Sequence, residues 1–400
     1  MKEAVIVDAI RTPMGRYGGN FKDIRPDDLA AHVIAKLVQR TGINGEEVED
    51  VYLGCSNQAG EDCRNVARMA SLLAGLPYTI PGATVNRLCG SGLEAINQAG
   101  RAIETEHGEL FIAGGVECMT RAPWVMRKPD NPFPRGEMTV YDSVLGWRFP
   151  NSRLGELYPL ISLGDTAENV AEKYQIGRKE QDSFALESHQ RALRANETGI
   201  FKDEIIPVEI RQKKGGVAVC DKDEGPRSDT SMEKLAALKP SFKKNGTVTA
   251  GNSSPLSDGA AALLLTTPEK AEALKLSPMA RIVASAVAGV HPSYMGVGPV
   301  PATEKVLKRA GLSAGQIDLV EINEAFASQS LACVKELGLD LKKVNVNGGA
   351  IALGHPLGCS GARIMTTLIY EMKRRGSRYG LATMCIGVGQ GIATIVERVS

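Results

Sequence analysis

The chain has almost no net charge: 47 Lys plus Arg against 46 Asp plus Glu leave +1. That gives no field to hold a nucleic acid or an anionic membrane surface. Long apolar runs are missing too, and none approaches the roughly 20 residues of a membrane span. The opening run Ala4 to Val7 is broken by Asp8 and Arg11, too early for a signal-peptide core. The end, Arg398-Val399-Ser400, is neither an ER-retention nor a peroxisomal address. Eight cysteines, at 55, 63, 89, 118, 220, 333, 359 and 385, include no CxxC, which excludes zinc-ribbon and dense disulfide spacing. Most are therefore expected as free thiols in a reducing compartment, and a cytoplasmic enzyme without a metal is the default. Aromatic residues are scarce at 5%, but with 43% hydrophobic and 23% charged residues over 400 positions the composition is that of a globular protein of two or three domains. Disorder and collagen are excluded.

An internal repeat organises the chain. Lys36-Leu-Val-Gln-Arg-Thr-Gly-Ile43 resembles Lys305-Val-Leu-Lys-Arg-Ala-Gly-Leu312, 269 positions later. In the same register Val48-Glu-Asp-Val51 faces Ile317-Asp-Leu-Val320, and Leu88-Cys-Gly-Ser-Gly92 faces Leu357-Gly-Cys-Ser-Gly361. Matches in one register argue for duplication. Each half reads as helix, buried strand, then a glycine-rich turn opening another helix, an α/β pattern. The stretch between has no partner in the repeat, is proline-rich at first and then carries two polar helices and a charged segment. The expected organisation is a first half over 1–120 plus 249–275, an inserted loop domain over 121–248, and a second half over 276–400.

Cys89 lies where glycines give way to helical apolar spacing at Leu93, Ile96 and Ala99. A helix N-terminus favours thiolate, which makes Cys89 a candidate nucleophile; a buried core thiol beside a tight turn is the alternative. His355, between glycine pairs and before a proline, lies in the repeat-equivalent of that turn and could serve as a general base, or as a structural histidine. Cys385 ends a buried strand that breaks into glycines, where a second thiol could move a proton and the Gly387 amide could meet an oxyanion. The Gly-Val-Gly-Gln-Gly run is not a dinucleotide fingerprint, because no helix and no βαβ unit can follow it. Asn323 follows the strand Leu319 to Ile322, placed either to bind a carbonyl or water or to cap a helix.

Taken together, Cys89-Gly-Ser-Gly, Asn323-Glu-Ala-Phe, Gly354-His-Pro and Cys385-Ile-Gly-Val-Gly, with Arg11-Thr-Pro-Met-Gly-Arg at the start and Gly251-Asn-Ser-Ser254 after the insertion, resemble the thiolase family along the whole chain. The resemblance implies two similar α/β halves in five layers, αβαβα, with a loop domain covering coenzyme A. It implies that Cys89 is acylated by a 3-oxoacyl-CoA, that Cys385 protonates the departing acetyl-CoA enolate, and that His355 activates Cys89. His355 and an Asn323-held water would form one oxyanion site, the amides of Cys89 and Gly387 the other. CoA is then a substrate, and no separate cofactor is expected. Ser254 matches a pantetheine contact and Arg227 a residue near the adenine nucleotide, either of which could equally be solvated surface. A homodimer or homotetramer is also implied. The run Lys373-Arg-Arg-Gly376 reads as a helix C-terminus.

One departure narrows the branch. Biosynthetic acetoacetyl-CoA thiolases carry His-Met before the glycine leading into Thr-Ala-Glu-Asn, whereas Ser162-Leu163-Gly164 stand here. The segment Asp142-Ser-Val-Leu-Gly-Trp-Arg-Phe-Pro-Asn151 instead looks like degradative acyltransferases of the β-oxidation type, 3-oxoadipyl-CoA thiolases included, with Arg148 a partner for a tail carboxylate. The expectation is an acetyl-CoA C-acyltransferase. The rivals are a biosynthetic acetoacetyl-CoA thiolase, a non-catalytic acyl-CoA binding protein of the same fold, and a cysteine hydrolase.

Overall fold

The computed structural model describes residues 2–212 and 215–399. Met1, Lys213, Lys214 and Ser400, at the ends of the expected halves and inside the expected insertion, lie outside the described residues. The framework elements are β1 (Val5–Arg11), α1 (Pro26–Thr41), β2 (Asp50–Gly54), α2 (Val66–Leu73), β3 (Ala83–Val85), α3 (Ser91–Glu104) and β4 (Leu110–Cys118). Then come α4 (Leu163–Tyr174) and α5 (Arg178–Glu197), then β5 (Ser257–Thr266), β6 (Ala280–Gly289), α6 (Pro299–Ala310), β7 (Leu319–Ile322), α7 (Ala327–Glu336), α8 (Leu357–Arg375), β8 (Tyr379–Ile386) and β9 (Gln390–Arg398). Local chemistry sets the ends. In α1, Pro26 opens the first turn, Asp27 and Asp28 face the positive dipole end, and Gly42 closes the helix in the left-handed region. Gly376 does the same for α8 after Lys373, Arg374 and Arg375, as read from the sequence.

Strands run β3-β2-β4-β5-β1 in the first half and β7-β8-β9-β6 in the second. In each half the order, and the change from parallel to antiparallel pairing, is the same. The counterpart of β3 in the second half is reduced to one bridge, Val320 to Val344. The half-sheets touch through a two-residue pairing, Val5 with Arg281 and Ile6 with Ala280.

The five layers follow from period-two alternation along the strands. Ile112 and Leu264 face α1 and α2, meeting Leu29, Val33 and Ala70. Their neighbours Ala113 and Leu263 face the other way, onto Leu93 and Ile96 of α3 and Met365 and Leu368 of α8. That helix pair also receives Ala382, Met384 and Val396 from the second sheet. Leu381 and Ile395 turn outward against Val306 of α6 and Val334 of α7. The order is helix, sheet, helix, sheet, helix, the αβαβα arrangement expected.

Between β4 and β5 the chain forms α4, α5 and two short hairpins, Trp124–Met126 with Val140–Asp142 and Val208–Arg211 with Val217–Cys220. A buried ionic cluster ties this segment to the framework: Arg11 Nε reaches Glu204 at 2.7 Å, and its two terminal nitrogens reach Asp223 at 2.7 and 3.0 Å. Among the described residues no helix is long and apolar enough to cross a membrane.

Candidate active site

The central helices α3 and α8 carry the two repeat-related turns. They approach closely because glycine lines the contact: a Cβ on Gly92 would lie 2.6 Å from the Gly358 carbonyl oxygen, and one on Gly361 2.2 Å from the Leu93 nitrogen. The turns have diverged. Leu357 already belongs to α8, whereas its counterpart Leu88 sits at φ +46, held by Asn86 Oδ1 accepting from its N–H at 2.9 Å, and α3 begins only at Ser91. A branched residue in the left-handed region is strained, and such strain collects where the chain must present a group.

Cys89 is the residue presented. It is 7% exposed and lies on a cavity of about 390 Å³. Burial pushes its thiol up to about 11, against hydrogen bonds from the N–H groups of Gly387 and of Cys89 itself. This corrects the expectation that the helix terminus favours thiolate: in the free protein desolvation wins, and the sulfur keeps its proton. The same two amides are the donors expected to meet an oxyanion.

Gly387 stands at the tip of the β8–β9 hairpin, where Val388 and Gly389 both take positive φ. This is a hairpin turn and not a phosphate loop. A Cβ on Gly90 would strike Ile386 at 2.6 Å, so the Cys89 turn sits directly on the end of β8. Cys385 is there too, 1% exposed, with its thiol raised well above the ordinary range by burial and then by charge on Cys89.

His355 and Asn323 form a second pair. Ser360 donates its hydroxyl hydrogen to the Pro356 carbonyl at 2.9 Å, so at 2.6 Å it accepts from Nδ1–H of His355. Nε2 therefore carries the lone pair, toward which Asn323 Nδ2 donates at 3.3 Å. Burial, then the positive Arg363, lower the imidazole to about 3, which keeps it neutral with Nε2 unprotonated. Asn323 Oδ1 is buried without a protein partner among the described residues, an acceptor available to a water or a substrate group. Asn323 does not cap α7; Phe326 holds that position. No hydrogen bond joins His355 to Cys89 among the described residues.

Two buried carboxylates that the sequence reading left without a role hold these parts in place. Glu117, at the end of β4, accepts from the backbone N–H groups of Ser56 (2.9 Å), Asn57 (3.1 Å) and Gly358 (2.8 Å), fixing the start of α8 to the first half. Glu324 accepts from Ser188 Oγ at 2.7 Å, Asn345 Nδ2 at 2.8 Å and the Ile351 N–H at 3.1 Å, joining α5 to the segment that leads to His355. An acidic residue inside an all-buried apolar strand was the available signal for Glu117.

Arg227 lies apart, in a cleft with Arg16 and Lys234. Ser253 and Pro255 line that cleft, whereas Ser254 Oγ donates to the Ala325 carbonyl at 3.1 Å. Arg148 lines the Cys89 cavity.

The chain matches the family models described as thiolase, N-terminal domain, over residues 4–269, and thiolase, C-terminal domain, over residues 276–398. It is 54% identical to the 3-oxoadipyl-CoA/3-oxo-5,6-dehydrosuberyl-CoA thiolase of Escherichia coli K12, with both chains fully covered. Among solved structures it resembles human mitochondrial 3-ketoacyl-CoA thiolase, TM-score 0.94 at 42% identity, and the Bacillus anthracis acetyl-CoA acetyltransferase, TM-score 0.93 at 45% identity. Each of these covers 100% of this chain and 99% of the other. With both family models matched and a full-length relative sharing more than half its residues, the chain belongs to the thiolase family.

Proposed function

We propose that this protein is a degradative acetyl-CoA C-acyltransferase, cleaving a 3-oxoacyl-CoA with CoA through an acyl-Cys89 intermediate. The observation that carries the reading is the Cys89 turn seated on the end of β8, the strand that holds the buried thiol of Cys385, with the Gly387 amide on the Cys89 sulfur. Carbon–carbon cleavage needs a nucleophile and a separate proton donor, and here both are sulfur. Cys89 gives its proton to His355 Nε2 as sulfur adds to the 3-oxo carbon. The adduct collapses by breaking the bond to C2, and the acetyl-CoA enolate takes the proton of Cys385. CoA then adds to the acyl-Cys89 thioester and passes its thiol proton to Cys385, and Cys89 leaves with the proton held on His355. Every group returns to its starting state. The amides of Cys89 and Gly387 stabilise the oxyanion on the Cys89-bound carbon, and His355 with a water on Asn323 Oδ1 stabilises the enolate oxygen.

The E. coli relative is named for 3-oxoadipyl-CoA, and we take the acyl tail of the substrate here to carry a carboxylate as well. The cleft with Arg16 and Arg227, where Lys234 pairs with Asp229 at 2.9 Å, offers two guanidinium groups to the CoA phosphates. CoA is a substrate in this reading, and no metal or other cofactor enters a step. A cytoplasmic location is supported by eight free cysteines. A homodimer or homotetramer is supported by β3 as the outermost strand of its sheet and by exposed Leu72, Leu73 and Tyr78, on and just after the neighbouring α2.

Intact-mass measurement tests the chemistry. With 3-oxoadipyl-CoA and no free CoA, the protein gains a succinyl group on Cys89, which is lost on adding CoA and persists in water. No adduct, or release by water alone, contradicts the proposal.

A further inference from the structure

The cavity at Cys89 is walled mainly by apolar side chains, among them Leu88, Val144, Ile161 and Leu357. Two charged residues reach it, Glu117 and Arg148. Glu117 is occupied: its oxygens accept from Ser56, Asn57 and Gly358. Arg148 is half-buried, donates through one Nη to the Ser143 carbonyl at 2.9 Å, and forms no ion pair with a carboxylate among the described residues.

Its position is fixed from both sides. Ser143 is held by Asn57 Nδ2 at 3.2 Å and by the Pro123 carbonyl, and the preceding Trp147 donates Nε1–H to the Ile161 carbonyl at 3.0 Å. A guanidinium anchored through one nitrogen presents its remaining donors as a rigid fork, the shape that accepts a carboxylate in two parallel hydrogen bonds. Apolar walls strengthen that attraction and make an unpaired cation costly. The cavity thus places one uncommitted cation on the same wall-lined space as the nucleophile.

We propose that Arg148 binds a carboxylate at the far end of the acyl chain, so that the enzyme selects 3-oxoacyl-CoA esters of dicarboxylic acids over neutral chains of equal length. The inference rests on the thiolytic reading of the Cys89 site and assigns the residue that sets its substrate class. A dicarboxylic acyl group enters with its thioester end toward Cys89 and its charged end against the guanidinium. A neutral tail leaves the cation unpaired and is disfavoured for that reason.

The test compares kcat/KM for CoA-dependent cleavage of 3-oxoadipyl-CoA and 3-oxohexanoyl-CoA, in the native protein and in Arg148→Gln and Arg148→Lys. The native protein is expected to prefer the dicarboxylic substrate by about tenfold or more. Arg148→Gln brings the ratio close to one, chiefly by raising KM for 3-oxoadipyl-CoA, and Arg148→Lys keeps part of the preference. Raising the salt concentration lowers the native ratio and leaves that of Arg148→Gln in place. A native enzyme that cleaves both substrates without preference overturns the inference. So does a preference that survives in Arg148→Gln, or a loss shared equally by both substrates. A native protein that cleaves neither removes the thiolytic reading and this inference together.

Discussion

At neutral pH the proton of the free site sits on sulfur. Burial carries Cys89 up to about 11 and His355 down to about 3, so the resting pair is a thiol and a neutral imidazole. In the proposed reaction, proton transfer therefore accompanies attack on the substrate and does not precede it. Alkylation of Cys89 by iodoacetamide is accordingly expected to quicken with each rise in pH toward about 11, without levelling near neutrality. A plateau below pH 8 would show a resting thiolate and contradict this. The residues to which the proposed reaction assigns this chemistry stand out in the sequence: Cys89, Asn323, His355 and Cys385 each lie beside glycines or at a strand end. Their protonation states do not, because the helix terminus is visible in the sequence while the depth of burial is a property of the packed molecule. Ser360, which decides the tautomer of His355, is one more small residue of α8 until the fold places it.

The central element is the crossing of α3 and α8, which brings the two turns together. Its closeness rests on Gly92 and Gly361, while Gly54, Gly115 and Gly358 let the same helices lie close on β2 and β4; each has backbone within 2.9 Å of where a Cβ would stand. Gly361→Ala is expected to cost about 1–3 kcal/mol through overpacking, read from the urea midpoint, and to lower kcat by displacing the Cys89 turn. A variant of native stability and activity would mean the crossing tolerates a methyl group. The repeat register located these helices and the strands before them, since hydrophobic period and glycine punctuation are local signals. The outermost strand of the second half was not legible: it is reduced to the Val320–Val344 bridge, and such pairing is decided by neighbours distant in sequence.

Across the whole molecule, the segment between β4 and β5 is bound to the repeated framework by buried charge. Arg11 of β1 satisfies Glu204 and Asp223, Thr367 of α8 donates to Glu204 at 3.1 Å, and Asp223 also accepts the Met14 N–H at 2.7 Å. Arg11→Met leaves two buried carboxylates without their cation, and an expected loss of about 3–5 kcal/mol follows. Denaturation in urea measures it, and a loss below about 1 kcal/mol would contradict the anchoring role. The duplication could be read from the residues and the five layers from the family resemblance; this anchor could not, since Arg11, Glu204 and Asp223 lie far apart in the chain and only the fold joins them. The central claim is CoA-dependent cleavage of a carboxylated 3-oxoacyl-CoA through Cys89. Its most direct test is kcat/KM of the purified protein for 3-oxoadipyl-CoA and acetoacetyl-CoA, beside Cys89→Ala. A preference of about tenfold or more, about 1.4 kcal/mol, is expected for 3-oxoadipyl-CoA, with a loss of about a thousandfold or more in Cys89→Ala. A preference for acetoacetyl-CoA, or cleavage that survives in Cys89→Ala, would contradict the claim.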